Sequence, residues 1–308
     1  MGKINGNFFS ELNKNKILYI MFIPIFIYYI LFAYIPMTGI VMAFKEFNYR
    51  DGIWFSPWIW FKNFEFFFKS GKALQVTINT VLYNLIFLIC STFFAVLVAI
   101  FIADIKGKIF KKLCQSSMIL PYFISWVVVA AMIYNFFNYD FGVMNRILAG
   151  LKLQPINIYS TPEYWTFILP FMYTWKNVGY LSIIYLASIT GIDPQLYEAA
   201  TIDGASMFQR IRYITLPAIR PTMIILILLA VGQILRGQFD MFWNLIGNNG
   251  LLIDKTDIVD TLVWRSLLGT QDYGMASAAG FYQSVLCFVI IVTVNGIVRK
   301  IDSDYALF

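Results

Sequence analysis

Long uncharged stretches organise this sequence. No formal charge interrupts Ile17–Phe44, Ala73–Ala103, Leu113–Tyr139, Pro221–Leu235 or Tyr273–Val298, and Lys176 alone interrupts Tyr164–Ile192. A helix needs about 20 residues to cross a bilayer, and five of these windows are long enough. The short one lies between Arg220 and Arg236. Both can snorkel toward headgroups from the helix ends, which extends that span to Leu216–Arg236. The pattern predicts an all-α integral membrane protein with six transmembrane helices, at about 17–44, 77–103, 113–137, 165–190, 216–236 and 275–298. A single transmembrane domain, 17–308, follows a short basic N-terminus, 1–16.

Composition agrees. Of 308 residues, 59% are hydrophobic and only 13% charged, against about 25% charge in soluble domains. Such a chain cannot cover itself in water. The first apolar run is too long for a signal-peptide core of about 7–15 residues and reads as an uncleaved span. The net charge of +6 is spread over short segments between apolar runs, so it speaks of membrane orientation and not of nucleic acid. Lys and Arg concentrate in Met1–Lys16, Asp104–Lys112, Asp193–Arg220 and Arg299–Phe308. By the positive-inside rule these segments, and both termini, face the cytoplasm.

Composition also removes chemistry. The chain has no histidine, which excludes His-based nucleophile triads, HExxH metal sites and haem ligation through His. Cys90, Cys114 and Cys287 have no metal or disulfide spacing and read as small buried hydrophobes. No catalytic group and no metal site is expected.

Two sets of residues invite a role. Trp54, Phe55, Trp58, Trp60, Phe61, Phe64, Phe67 and Phe68 crowd the first outer segment. They predict an interfacial helix over about Trp58–Lys69, serving as a headgroup anchor or as a surface for an extracellular partner. Within the spans, Lys176 should not face lipid, where its charge would cost about 2.5–3.5 kcal/mol. It is either a substrate-path cation or a structural lysine that meets a helix C-terminus or neighbouring carbonyl. Tyr173, Asn177 and Tyr180 lie near it at helical spacing. Gln233, Tyr282 and Gln283 are further path candidates, with interhelical hydrogen bonding as the alternative. Pro24, Pro36, Pro121 and Pro170 are places where a span would bend.

The most informative segment is the loop 191–216 between the fourth and fifth spans. Asp193 is placed to cap a short helix whose first residue is Pro194. Ile192 and Tyr197 are spaced for a hydrophobic staple, and Gly204 can end the helix with positive φ. So short a helix is not stable alone, so something must pack on it.

This loop resembles the signature loop of binding-protein-dependent ABC importer permeases: Glu-Ala-Ala, three residues, Gly, nine residues, Ile, one residue, Leu-Pro. Glu198-Ala199-Ala200, Gly204, Ile214 and Leu216-Pro217 match every position and gap. Asn63-Phe64, Asn79-Thr80 and Ile202-Asp203-Gly204-Ala205 are similar to sugar-permease features. Trp175-Lys176, Gly179, Asp257–Thr261, Trp264-Arg265, Ala279-Gly280-Phe281 and Gln283-Ser284 resemble the maltose-type branch that handles complex oligosaccharides.

The resemblance implies a type I ABC importer permease fold in a bacterial cytoplasmic membrane. It implies a coupling helix carried by Glu198, Ala199, Ala200, Asp203, Gly204, Ile214, Leu216 and Pro217. The implied partners are a second permease subunit, two ATPase subunits, an extracellular substrate-binding protein and membrane lipid. An oligosaccharide would cross by alternating access. The sequence lacks a G-x-x-x-x-G-K-[ST] phosphate loop, so ATP and Mg belong to the partner ATPase, and this chain is a transporter subunit and not an enzyme. A non-sugar cargo such as a peptide or amino acid is the alternative, and Lys176 leaves an acidic sugar open.

Overall fold

The computed structural model describes residues 15–69 and 71–301. The basic terminus 1–16, apart from its last two residues, and the tail 302–308 lie outside the described residues. Among the described residues the chain is helical, with one isolated antiparallel bridge between Lys45 and Trp58 and no longer strand.

Helix α1 (Lys16–Phe44) buries nothing before Ala43. Its ladder widens to an i→i+5 turn at Ile30–Tyr34, just ahead of Pro36, whose missing N–H breaks the regular pattern. Short α2 (Lys62–Lys69) leads to α3 (Lys72–Asp104), then α4 (Lys108–Phe123), α5 (Trp126–Phe137) and α6 (Val143–Gly150). Helix α7 (Pro162–Thr190) is followed by α8 (Pro194–Ile202) and α9 (Met207–Val231). Two amphipathic pieces, α10 (Phe239–Ile246) and α11 (Val259–Leu268), precede α12 (Tyr273–Ile301).

Four of these, α1, α3, α9 and α12, are long and apolar enough to cross a membrane, and the α4–α5 pair makes a fifth if counted as one broken span. Helix α7 has the length but carries Lys176, Asn177 and several Tyr and Trp residues. It tolerates them because it is shielded by protein: it lies along α3, α4 and α9 and buries Trp165, Leu169, Lys176, Gly179, Ser182, Tyr185 and Ile189. Small residues make the close approach, as they do between helices in lipid. Ala95 and Ala99 of α3 are fully buried against Tyr185, Ile189 and Ile219. A second core joins Tyr83 and Phe87 of α3 to Trp165, Leu169 and Phe242.

Three expectations need correction. The window 113–137 is not one straight span: α4 and α5 meet at 93°. Pro121 sits in the last turn of α4, and Ser125 starts α5 by accepting the Val128 N–H at 3.4 Å. The span expected at 216–236 is helical from Met207 to Val231. Its start is set by a Ser206–Gln209 capping box, and turns replace the helix from Gly232 to Leu235. Pro217 behaves like Pro36, with an i→i+5 turn, Ile211–Thr215, ahead of it. The interfacial helix expected from Trp58 begins only at Lys62, because Trp58 is held in the bridge to Lys45.

The residues between α9 and α12 fold back on the start of α3. Asn79 Nδ2 donates to Asp257 O at 3.0 Å, and Val259 N donates to Thr80 Oγ1 at 3.1 Å. Asp257 is buried and pairs with Arg265, and Thr261 Oγ1 donates to the same carboxylate at 2.6 Å. Asn63 Nδ2 reaches Ala43 O at 3.0 Å and Lys45 O at 3.1 Å, tying α2 to the end of α1.

Candidate functional site

Helix α8 is built as its residues dictate. Asp193 Oδ1 accepts the Gln195 N–H at 3.0 Å, and Pro194 occupies the first helical position, where no N–H is needed. At the other end Gly204 has φ of +77°. Ala205 N donates to Ala200 O at 2.8 Å and Gly204 N to Thr201 O at 3.1 Å. This is a Schellman closure, in which a left-handed residue lets the chain turn back over the last helical carbonyls. Helix α9 then starts at once on its own cap.

Two contacts dock α8 to α9. The Tyr197 and Thr215 hydroxyls are 2.9 Å apart, and Arg210 Nη1 donates to Thr201 Oγ1 at 3.2 Å. The opposite face of the segment is bare. Glu198, Ala199, Asp203 and Gly204 are exposed, as are Leu216 and Pro217, while Ala200 and Ile214 are half-buried. Ile202 is 87% exposed and Phe208 70%. The segment thus offers apolar side chains beside a free carboxylate, on a rigid, capped turn.

The second set of candidates divides. Lys176 is 8% exposed, and its ammonium is spent on the break between α4 and α5. Nζ donates to Pro121 O at 3.1 Å, Tyr122 O at 2.9 Å and Ile124 O. Tyr122 O and Ile124 O lie where a helix end leaves carbonyls without intrahelical partners, while Pro121 O also accepts the Ile124 N–H at 3.2 Å. The same ammonium lies 5.3 Å from the Trp126 ring centre and 6.0 Å from that of Tyr122, within cation–π range. Of the two readings of Lys176, the geometry realises the helix-terminus one.

Around it Tyr122 and Tyr180 stack face to face, centroids 4.5 Å apart and planes 11° apart. Both rings remain about two-fifths exposed. Tyr173 stacks instead on Phe87 at 4.4 Å and belongs to the core between α3 and α7. Asn177 Nδ2 returns to Tyr173 O at 2.9 Å on its own helix.

Gln233 lies exposed in the turns after α9. Tyr282 accepts from Thr77 Oγ1 at 3.2 Å and packs on Phe67 and Phe68. Gln283 Nε2 donates to Leu235 O at 2.5 Å and to Asp260 at 3.2 Å. Tyr282 thus ties α12 to α2 and α3, and Gln283 braces the α9–α12 connection. Lys176 and Tyr180 are therefore brought together, and Tyr173, Gln233, Tyr282 and Gln283 are not. Tyr122 and Trp126, which no sequence reading singled out, complete the aromatic wall. Their proximity to Pro121 was the available signal.

Comparisons with known proteins add to this geometry. Residues 91–305 match the family model described as binding-protein-dependent transport system inner membrane component. Protein LplB of Bacillus subtilis (strain 168) is 30% identical, over 96% of this chain and 92% of its own length. The polygalacturonan/rhamnogalacturonan transport system permease protein YteP of the same organism is 31% identical, over 96% and 91%. Among solved structures, a chain from a bacterial alginate ABC transporter in complex with alginate pentasaccharide-bound periplasmic protein superposes with a TM-score of 0.86. It is 31% identical, over 96% of this chain and 98% of that one. A chain from a bacterial ABC transporter involved in the import of the acidic polysaccharide alginate gives 0.87 at 32% identity, over 96% and 99%.

Proposed function

The chain belongs to the family of binding-protein-dependent transport system inner membrane components, and from that membership we propose that it is the permease subunit of an ATP-driven importer of oligosaccharides. It works by alternating access in a bacterial cytoplasmic membrane, which it crosses six times. Helix α7 provides the crossing whose polar residues are shielded by its neighbours. A second permease subunit completes the path, a binding protein delivers the sugar outside, and two ATPase subunits with their ATP and Mg act inside.

The observation that carries this reading is the segment 193–217. It is a helix fixed at both ends by its own residues, docked on one side to α9 and bare on the other, with Glu198, Ile202 and Phe208 presented outward. A rigid element with a free apolar and acidic face suits a cleft in an ATPase. Its hydrogen bonds to α9 suit the passing of motion into a span. Allosteric coupling of this kind is typically worth about 1–3 kcal/mol.

The cargo follows from the relatives named above, which handle polygalacturonan, rhamnogalacturonan and alginate. Acidic oligosaccharides are thus the first substrates to test. The exposed Tyr122–Tyr180 stack offers a ring face, which suits a sugar better than a peptide backbone. Nothing in those names favours a peptide or amino acid. Because Lys176 is engaged by three carbonyls, a uronate charge would be met elsewhere.

The test is uptake by the reconstituted complex over a panel of acidic and neutral oligosaccharides and peptides. Glu198→Arg should abolish uptake of every substrate at unchanged protein level, by placing like charge against a basic ATPase cleft. Uptake at the wild-type rate in that variant would refute the coupling assignment, and import of peptides alone would refute the cargo.

A further inference from the structure

Behind α8, on the side away from its bare face, lies a cavity of about 370 Å³ between that helix and the ends of α3, α7 and α9. That is in the range of small-molecule sites, about 300–1,000 Å³. Its walls are mostly apolar, with Ile100, Ala103, Ile189, Ile192 and Ile211 among them. One cation, Arg210, lines it. The Arg210 Nε is buried without a hydrogen-bond partner, although Nη1 has one in Thr201. A buried charged donor left without an acceptor is costly, and an acceptor arriving in the cavity would relieve it. The acid on the lining, Asp104, is exposed. Beside it Lys111 Nζ donates to Ala103 O at 3.3 Å, which sets a second cation at the edge of the lining.

We propose that this cavity binds an amphiphile with an anionic head, the head meeting Arg210 and the apolar tail lying on Ile100, Ile189 and Ile192. The chemistry fits an anionic phospholipid of the leaflet at the α8 end or a free fatty acid. A guanidinium suits a phosphate or carboxylate, and the isoleucine wall suits methylenes. Because Pro194 and Tyr197 of α8 share the lining with Ile211 and Thr215 of α9, the occupant braces the same α8–α9 junction that the proposed transport reading uses. Its presence in the cavity does not depend on that reading.

The experiment uses the whole permease–ATPase complex in nanodiscs of phosphatidylcholine. Photoactivatable phosphatidylglycerol, phosphatidylcholine and oleic acid are added in separate arms, and the attachment site is mapped by mass spectrometry. Phosphatidylglycerol or oleate should attach to residues lining the cavity at least fivefold more than phosphatidylcholine, and the stronger of the two identifies the source. Arg210→Gln should abolish that preference, Arg210→Lys should keep part of it, and Ala103→Phe, which fills the cavity, should lower attachment of all three. Equal attachment of phosphatidylcholine, or attachment indifferent to Arg210→Gln, overturns the proposal. If Ala103→Phe does not assemble, the Gln and Lys variants still decide it. Attachment is read without import, so wild-type uptake by Glu198→Arg would count against the coupling reading alone.

Discussion

At the residue scale, Lys176 is the chain's most instructive group. A charge inside an apolar window marks a special site but does not say which kind. Here it replaces the hydrogen bonds that the 93° break between α4 and α5 removes. Lys176→Met should strand Tyr122 O and Ile124 O, at about 1–3 kcal/mol for each one left unsatisfied, while Pro121 O keeps the Ile124 N–H. The expected result is a fall of several degrees in the melting temperature of the detergent-solubilised complex, with import of all substrates reduced alike. An unchanged melting temperature with loss of acidic substrates only would assign the lysine to recognition instead.

Asp260 offers a second residue-scale test. It accepts the Gly237 N–H at 2.6 Å and bonds from Gln283. Burial nevertheless outweighs these donors and raises its pKa above the ordinary aspartate range. A carboxyl whose folded pKa is raised holds its proton more tightly when folded. Its contribution is therefore full below its unfolded pKa, about 3.9, and is lost as pH rises through the raised value. Melting temperatures between pH 4 and 7 should show this stabilisation on acidification in the wild type. Asp260→Asn, neutral throughout, should flatten that part of the profile.

At the scale of elements, the contact between α4 and α7 is set by one missing side chain. A Cβ placed on Gly179 would lie 1.8 Å from Met118 O and 2.3 Å from its carbonyl carbon. Both obstacles are backbone, so neither can swing away. Gly179→Ala should force the helices apart, weaken the Lys176 bonds to the end of α4, and reduce both import and thermal stability. Wild-type values for both would show that the two helices are not held at this distance. Helix α8 is the opposite case, an element specified almost wholly by local chemistry. Its cap, its proline and its closing glycine lie where the amino-acid order puts them.

For the whole molecule, orientation is the property most open to a direct check. The positive-inside rule predicts α8 in the cytoplasm. The aromatic segment around Trp60 and the α10–α11 connection would then lie outside. With Cys90, Cys114 and Cys287 replaced, Asp203→Cys should react with a membrane-impermeant thiol reagent only in inverted vesicles. Trp60→Cys should react only in right-side-out ones. The reverse pattern would remove α8 from any intracellular ATPase. Helix α1 stands apart in this molecule, with no buried residue from Lys16 to Met37. Its apolar surface is left for lipid or for another subunit.

Sequence alone was enough for the class and for α8. Bilayer solvation demands long uncharged helices, and caps, prolines and positive-φ glycines act within a few residues of themselves. Distances through space were beyond it. That Lys176 would meet the end of α4, that Asn79 and Thr80 would clamp the α9–α12 connection, and that Tyr122 would stack on Tyr180 depend on which helices become neighbours. The two fates open to Lys176, a path cation or a helix-end cap, look identical along the chain. They part only when packing brings unsatisfied carbonyls within reach of its ammonium.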